Sequence, residues 1–313
     1  MVGKLNIKEN ISLKEFTTFK IGGPARFFVS VKTKEELIGA LKWAMEKKQE
    51  YFILGNGSNI LVNDRGFDGL VIENKISEVS LSNGRISVGA GLNLNYVIEN
   101  MWESGLYGME QLYWIPGTIG GAVRGNAGAY GGQISDVVKS VTFLDENLSV
   151  KTFNNIECEF NYRHSIFKQN KKLIILSVEL DLKRGDITES KKIAEDIMNK
   201  RKKGEPQYPS AGCVFKNIKE NNFNNFIKKN KDLNIPEMFI ERKSISAGWL
   251  IENIGLKGKE VGGAKISNEH ANFIINTNNA KASDVLELIN LVKRKTKKCF
   301  NVNLEEEIQY VGF

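Results

Sequence analysis

Two glycine-rich loops are placed to hold an anion. Gly55-Asn56-Gly57-Ser58-Asn59 follows the apolar run Tyr51-Phe52-Ile53-Leu54. About 60 residues later, Ile115–Gly132 carries seven glycines among small residues, with Asn126 and Tyr130. A buried strand ending in glycine lets backbone amides approach a phosphate closely. Two such loops suggest one large dinucleotide-type ligand gripped from two sides. Neither loop is a Gly-x-Gly-x-x-Gly fingerprint or a P-loop. Each is also what a set of packed turns would look like.

Other groups could do chemistry. Tyr162–Lys168 contains Arg163, whose planar fork suits a carboxylate, and equally a surface ion pair. His164 beside it reads as structural. Ser210–Asn217 places Cys213 between glycine and an apolar pair. A free cysteine is usually a small buried hydrophobe, but Lys216 and Asn217 nearby make a site plausible. Gly262–Ser267 and Glu269–Phe273, with His270, read either as a ligand-facing loop or as ordinary turns. Glu305, Glu306 and Glu307 lie near the end of the sequence. On a strand, Glu305 and Glu307 would share a face with Gln309, and Glu306 one with Leu304 and Ile308. Such a triplet is usually a solvated edge, and spacing does not choose a catalytic member.

The elements that must position these groups are legible in outline. Thr33 and Glu36 make a capping-box pattern before a helix to about Lys47. Strands are expected at Tyr51–Leu54, Gly69–Ile72 and Ile86–Val88. A helix that buries Leu94, Val97, Ile98, Met101 and Trp102 follows. Residues 140–144 and 148–153 form a hairpin pattern around Asp145-Glu146-Asn147. Leu173–Leu182 alternates as a half-buried strand does. A lysine-rich helix from about Thr188 to Lys203 ends before Pro206 and Pro209. The chain closes with a helix burying Val285, Leu288, Ile289 and Val292, then a strand over Leu304–Phe313.

Composition narrows the class. The 313 residues, 41% hydrophobic and 26% charged, suit a globular protein of two or three domains. No apolar run approaches the roughly 20 residues that span a bilayer, and Met1–Asn6 shows no secretory pattern. The three cysteines, Cys158, Cys213 and Cys299, match neither a disulfide framework nor a metal site and suggest a reducing cytosol. A net charge of +7 reads as a solvated lysine-rich surface, or as a field that attracts anionic nucleotides. No nucleic-acid recognition motif is present, and the basic residues are dispersed.

Seven segments in order carry a resemblance: Phe19–Ala25, Gly55–Asn59, Ile115–Gly132, Tyr162–Lys168, Pro209–Asn217, Ala247–Ile251 and His270–Asn276. From about residue 15 onward the chain resembles the UDP-N-acetylenolpyruvoylglucosamine reductase family. The resemblance implies an α+β fold: a two-part FAD-binding region of the vanillyl-alcohol-oxidase (PCMH) type and a separate α+β substrate-binding domain. The expected divisions are 1–75 and 76–186 for the flavin subdomains and 187–313 for the substrate domain. It implies a cytoplasmic enzyme of peptidoglycan precursor synthesis, with FAD as cofactor and NADPH as co-substrate. Neither His164 nor His270 lies in the glycine loops, so FAD is expected to be non-covalent. A monomer acting on small molecules is expected, with no nucleic-acid or membrane partner.

Carried onto matching positions, the resemblance implies FAD contacts at Gly55, Asn56, Gly57, Ser58, Asn59, Pro116, Gly117, Thr118, Gly120, Gly121, Asn126 and Gly128. It implies substrate contacts at Tyr130, Lys216, Asn217, His270 and Gln309, and catalytic roles for Arg163, Cys213 and Glu307. The family's proton donor is usually a serine, and here that position is Cys213. A thiol is more acidic than an alcohol and can still give a proton; Ser210 is the alternative donor. One class of the family carries a tyrosine-bearing insertion after the strand matching Leu173–Leu182. Only Lys183–Ile187 fills that gap, so the chain resembles the shorter class.

Overall fold

The computed structural model describes residues 5–82 and 85–313. Residues 1–4, on which the reading of the N-terminus partly rests, lie outside the described residues. The chain forms two compact units. One comprises residues 1–11, 25–56 and 68–203, the other residues 12–24, 57–67 and 204–313.

The first unit holds two sheets. One is four-stranded, in the order Lys8–Ser12, Pro24–Val31, Phe67–Asn74, Tyr51–Leu54, and its last two strands run parallel. The helix Lys34–Glu46 buries Leu37, Ala40, Leu41 and Ala44 in a core shared with Val29, Val31, Leu70 and Ile72. It begins as the sequence suggests, with Thr33 Oγ1 accepting from Glu36 N–H at 3.2 Å. The reciprocal bond differs: Glu36 Oε2 accepts from Lys32 N–H at 2.6 Å, one residue before the cap.

The second sheet of this unit is five-stranded and antiparallel, ordered Val150–Asn154, Val138–Leu144, Ile174–Leu180, Arg85–Gly89, Val79–Ser82. The expected hairpin is its first pair. Asp145 Oδ1 closes the turn by accepting from the amides of Asn147 and Ser149, both at 2.9 Å. Helix Leu94–Glu103 shares this sheet's core, and Phe143 and Phe153 of its strands cluster with Phe167, the closest ring centroids 4.6 Å apart.

The lysine-rich helix Thr188–Gly204 belongs almost wholly to the first unit, whose last segment runs to Lys203. The reason is a buried bond: Trp102 Nε1–H donates to Ser190 Oγ at 2.8 Å, and Ala194 joins the same core. Lys183-Arg184 of the short connection pairs with Leu106-Tyr107.

The second unit is built on an antiparallel sheet ordered Ser210–Cys213, Phe273–Asn276, Ala264–Ile266, Glu260–Val261. The long helix Ala282–Phe300 buries Val285, Leu288, Ile289 and Val292 against it. Two early segments are woven in. Gln309–Val311 runs parallel to Ile60–Val62, and Phe19 is fully buried in this core. Asn276 Nδ2 donates to Phe19 O at 3.2 Å, and Thr18 Oγ1 donates to Ser210 O at 2.7 Å. Asp64 caps the long helix, accepting from Ala282 N–H at 2.7 Å and Ser283 N–H at 3.0 Å. Among the described residues, no helix is long and apolar enough to cross a membrane.

Candidate active site

In the first unit the two glycine loops meet. A Cβ on Gly55 would lie 2.7 Å from Thr118 Oγ1, so only glycine allows this approach. Thr118 caps the helix Ile119–Gly125, its Oγ1 accepting from Gly121 N–H at 3.2 Å. The next amides are also spent inside the protein. Ile119 N–H donates to Leu92 O at 2.9 Å, Gly120 N–H to Ala90 O at 2.8 Å, and Ala122 N–H to Thr118 O at 2.8 Å. A Cβ on Gly120 would come 2.9 Å from that of Ala90. These amides therefore lock the helix to its surroundings. Gly117 is similarly anchored, its carbonyl accepting from Leu94 N–H at 3.0 Å.

The same helix suits a ligand that comes close to its backbone. A Cβ on Gly121 would meet only Thr118 Oγ1, at 3.4 Å, and one on Gly125 nothing within 4 Å. Positive charge is present as well. Arg124 is half-buried, and burial lowers its pKa with no carboxylate to offset this. A bare glycine face beside a cation fits an extended anionic cofactor such as FAD.

Beyond the helix the backbone turns sharply. Asn126 ends it in the left-handed conformation at φ 42°, fully buried. Its Nδ2 donates to Asn161 O at 3.0 Å and Gln133 Oε1 at 3.2 Å. Arg163, also left-handed at φ 56°, donates from Nη2 to Gly128 O at 2.7 Å. Its guanidinium lies 5.3 Å from the Tyr162 ring centroid. Gly128 pairs with Gln133 in the small hairpin that Arg163 grips, and the exposed Tyr130 begins its turn. His164 pairs through its backbone with Asn161. Trp114, just before Pro116, is a bulky residue at φ 68°, with Lys202 Nζ 4.8 Å from its ring centroid.

In the second unit the residues around Cys213 form a braced ladder. Cys213 ends its strand opposite Phe273, after a register shift at Gly212. The buried Asn272 amide acts like a short piece of strand. Its Oδ1 accepts from Phe215 N–H at 3.0 Å and its Nδ2 donates to Phe215 O at 2.8 Å. On the other side, Glu307 N–H donates to Val214 O at 2.7 Å and Lys216 N–H to Glu305 O at 2.9 Å. Cys213–Lys216 and Glu305–Glu307 are thus held by one network.

The three carboxylates differ in their partners. Glu305 pairs with Lys216, an expected substrate contact, and Glu306 pairs with Lys293 at 2.8 Å. The expected strand over Leu304–Phe313 is regular only at Gln309–Val311, but Leu304 and Ile308 do turn inward. Burial, with Glu306 beside it, pushes the Tyr310 hydroxyl up to about 12. Asn59 grips the Glu307 carbonyl through Nδ2 at 3.2 Å, and its own carbonyl accepts from Gln309 N–H at 2.9 Å. The motif Gly57-Ser58-Asn59 therefore braces the Glu307 segment. Gly57 has φ 60°, and its carbonyl accepts from Thr18 N–H at 3.3 Å. Asn217 Oδ1 accepts from Ala247 N–H at 3.1 Å, and His270 Nδ1 from Asn272 N–H at 3.2 Å.

Sequence reasoning passed over Asn272 and Arg124. An asparagine next to the apolar run Phe273-Ile274-Ile275 was the available signal for the first. The second was a lone charge in a stretch read only for its glycines.

A family model described as an FAD binding domain matches residues 25–154. A second, described as UDP-N-acetylenolpyruvoylglucosamine reductase, C-terminal domain, matches residues 205–311. The UDP-N-acetylenolpyruvoylglucosamine reductase of Clostridium novyi is 38% identical over 314 residues, covering 100% of this chain and 94% of that protein. The chain belongs to the UDP-N-acetylenolpyruvoylglucosamine reductase family. The enzyme of that name from Caldicellulosiruptor bescii is 41% identical over 304 residues, 96% of this chain and 89% of that protein. The crystal structure of UDP-N-acetylenolpyruvylglucosamine reductase from Thermus caldophilus matches with a TM-score of 0.77 at 34% identity, covering 98% of this chain and 99% of that one. The fold is accordingly α+β, with an FAD-binding region of the vanillyl-alcohol-oxidase type and the reductase family's own C-terminal domain. That domain contains Cys213, Asn272 and Glu307 together. The FAD model spans both glycine loops and stops at 154, before Arg163.

Proposed function

We infer that this chain is an FAD-dependent oxidoreductase that uses NADPH to reduce UDP-N-acetylglucosamine enolpyruvate to UDP-N-acetylmuramate, a step of peptidoglycan precursor synthesis. The observation that carries the reading is the union, in one chain, of an FAD-binding region with this family's C-terminal domain. Gly55, Asn56, Gly57, Ser58, Asn59, Pro116, Gly117, Thr118, Gly120, Gly121, Asn126 and Gly128 would hold FAD, which supplies, when bound, a hydride that originates on NADPH.

The chain's own residues manage charge and proton. As hydride reaches C3 of the enolpyruvyl group, negative charge develops on the carboxyl while C2 awaits a proton. Arg163 binds that carboxyl and stabilises the charge where it grows. Its tie to Gly128 O and its left-handed backbone support this role, because they hold the fork in one orientation. Glu307 binds or polarises the same carboxyl or enol. Cys213 Sγ–H gives its proton to C2, completing reduction of the double bond. Tyr130, Lys216, Asn217, His270 and Gln309 position the substrate. The bonding of the Cys213 and Glu307 segments to shared neighbours supports their acting together. The same reading takes the enzyme as a cytoplasmic monomer without nucleic-acid or membrane partners.

The absorption spectrum of the purified protein tests this. It should show a bound flavin that anaerobic NADPH bleaches and the UDP-sugar enolpyruvate restores. Colourless protein unresponsive to added FAD would overturn the reading in favour of a nucleotide-binding protein without catalysis.

A further inference from the structure

Among the described residues, Arg124 is a charge without a protein partner. It lies on the helix Ile119–Gly125, half-buried, and among the described residues its guanidinium forms no hydrogen bond or ion pair. Burial is the only influence on its pKa, which it lowers. Taking a guanidinium out of water without an anion is costly, and proteins seldom keep such a group for nothing. By contrast, the nearby Arg163 donates to Gly128 O.

Two features of the surroundings say what the missing partner is. Helical side chains lean toward the N-terminus and cover the positions three and four residues before them. For Arg124 these are Gly121 and Gly120; Gly120 packs on Ala90, whereas at Gly121 a Cβ would meet only Thr118 Oγ1, at 3.4 Å, so bare backbone lies beside the stem there. In that loop the amides of residues 119–122 are all consumed inside the protein. A diphosphate arriving there would find little neutralisation from these backbone dipoles, and a planar cation is the natural substitute.

We propose that Arg124 is the charge partner of a nucleotide diphosphate bound along the open Gly121 face. The proposal rests on the flavin reading above. FAD and the UDP-sugar substrate both carry this chemistry, and separate arms of one experiment tell them apart.

The full-length apoprotein of wild type, Arg124→Met and Arg124→Lys is titrated with FAD and with riboflavin, which lacks the diphosphate. UDP is titrated into the three holoproteins. Losing a charge-assisted pair should weaken binding roughly 10- to 100-fold. If FAD is the partner, Arg124→Met weakens FAD and not riboflavin, Arg124→Lys restores part of the loss, and the salt dependence of FAD binding flattens. If the substrate is the partner, the loss is in UDP binding alone. Apo Arg124→Met should melt no lower than wild type, since it removes an uncompensated buried charge; a lower melting temperature would mean that Arg124 serves the fold and would overturn the proposal. Unchanged FAD and UDP affinities in Arg124→Met would overturn it as well. Failure of the wild-type apoprotein to bind FAD would instead sink the flavin reading, so the two failures are distinct.

Discussion

In the first unit the groups assigned to chemistry sit on sharply turned backbone. In the second they sit on nearly extended chain braced by neighbours. Asn126 and Arg163 both adopt left-handed conformations, and Arg163 is fixed by donating to a main-chain carbonyl. Cys213 and Glu307 are aligned by ladder-like bonds through Val214 and by the Asn272 amide. The carboxylates also differ. Around Glu307, the neighbouring Glu305 and Glu306 are neutralised by Lys216 and Lys293. Arg124, in the first unit, has no such partner among the described residues. The contrast teaches two ways of fixing a side chain: sharp left-handed turns in the first unit, and extended chain held by neighbouring amides in the second.

Substitutions at four positions would break or sharpen that comparison. The largest effect belongs to Cys213→Ala, which should lower steady-state turnover by about 10²- to 10⁴-fold, while Cys213→Ser keeps substantial activity. Full turnover in the alanine variant would move the donor elsewhere, Ser210 being the first to examine. Arg163→Ala should slow reduction of the substrate by about 10²- to 10³-fold, with a smaller effect on flavin reduction by NADPH. Equal loss in both would assign it to structure, and the first unit would then lack its charge-binding role. Asn272→Ala removes both bonds to Phe215 and leaves buried backbone groups unpaired. It should cost about 1–3 kcal/mol in denaturant unfolding. An unchanged midpoint would show that the ladder stands without it.

The smallest effect concerns pH. Thr188 holds the Asp186 carboxyl below its ordinary pKa, through its hydroxyl first and then its amide at 2.8 Å. A depressed carboxylate stabilises the fold above its unfolded pKa of about 3.9, and that gain is lost as pH falls through the folded value. Asp186→Ala should therefore lower the melting temperature slightly at neutral pH and match wild type in acid. A difference that persists in acid would assign the effect to something other than this carboxylate.

Much of the fold was legible because its signals are local. The strand Tyr51–Leu54, the hairpin turn at Asp145 and the helix from Thr188 all follow from periodicity, caps and turn residues. Placement of residues 12–24 and 57–67 in the second unit was not, because it depends on pairings such as Gln309 with Ile60, far apart in sequence. The site shows the same split. Glycine-rich motifs and Cys213 announce themselves by type and order. Asn272 works through two bonds to a residue 57 positions away, and which lysine takes Glu305 or Glu306 is decided by register. Gly120 illustrates a subtler gap: its glycine reflects contact with Ala90, which sequence alone does not separate from contact with a ligand.

The most direct test follows the flavin colour of Cys213→Ala through a single anaerobic cycle. Bleaching by NADPH at the wild-type rate, followed by stalled recovery when the UDP-sugar enolpyruvate is added, is the expected result. Recovery at the wild-type rate would contradict the assignment of the proton to the second unit's thiol.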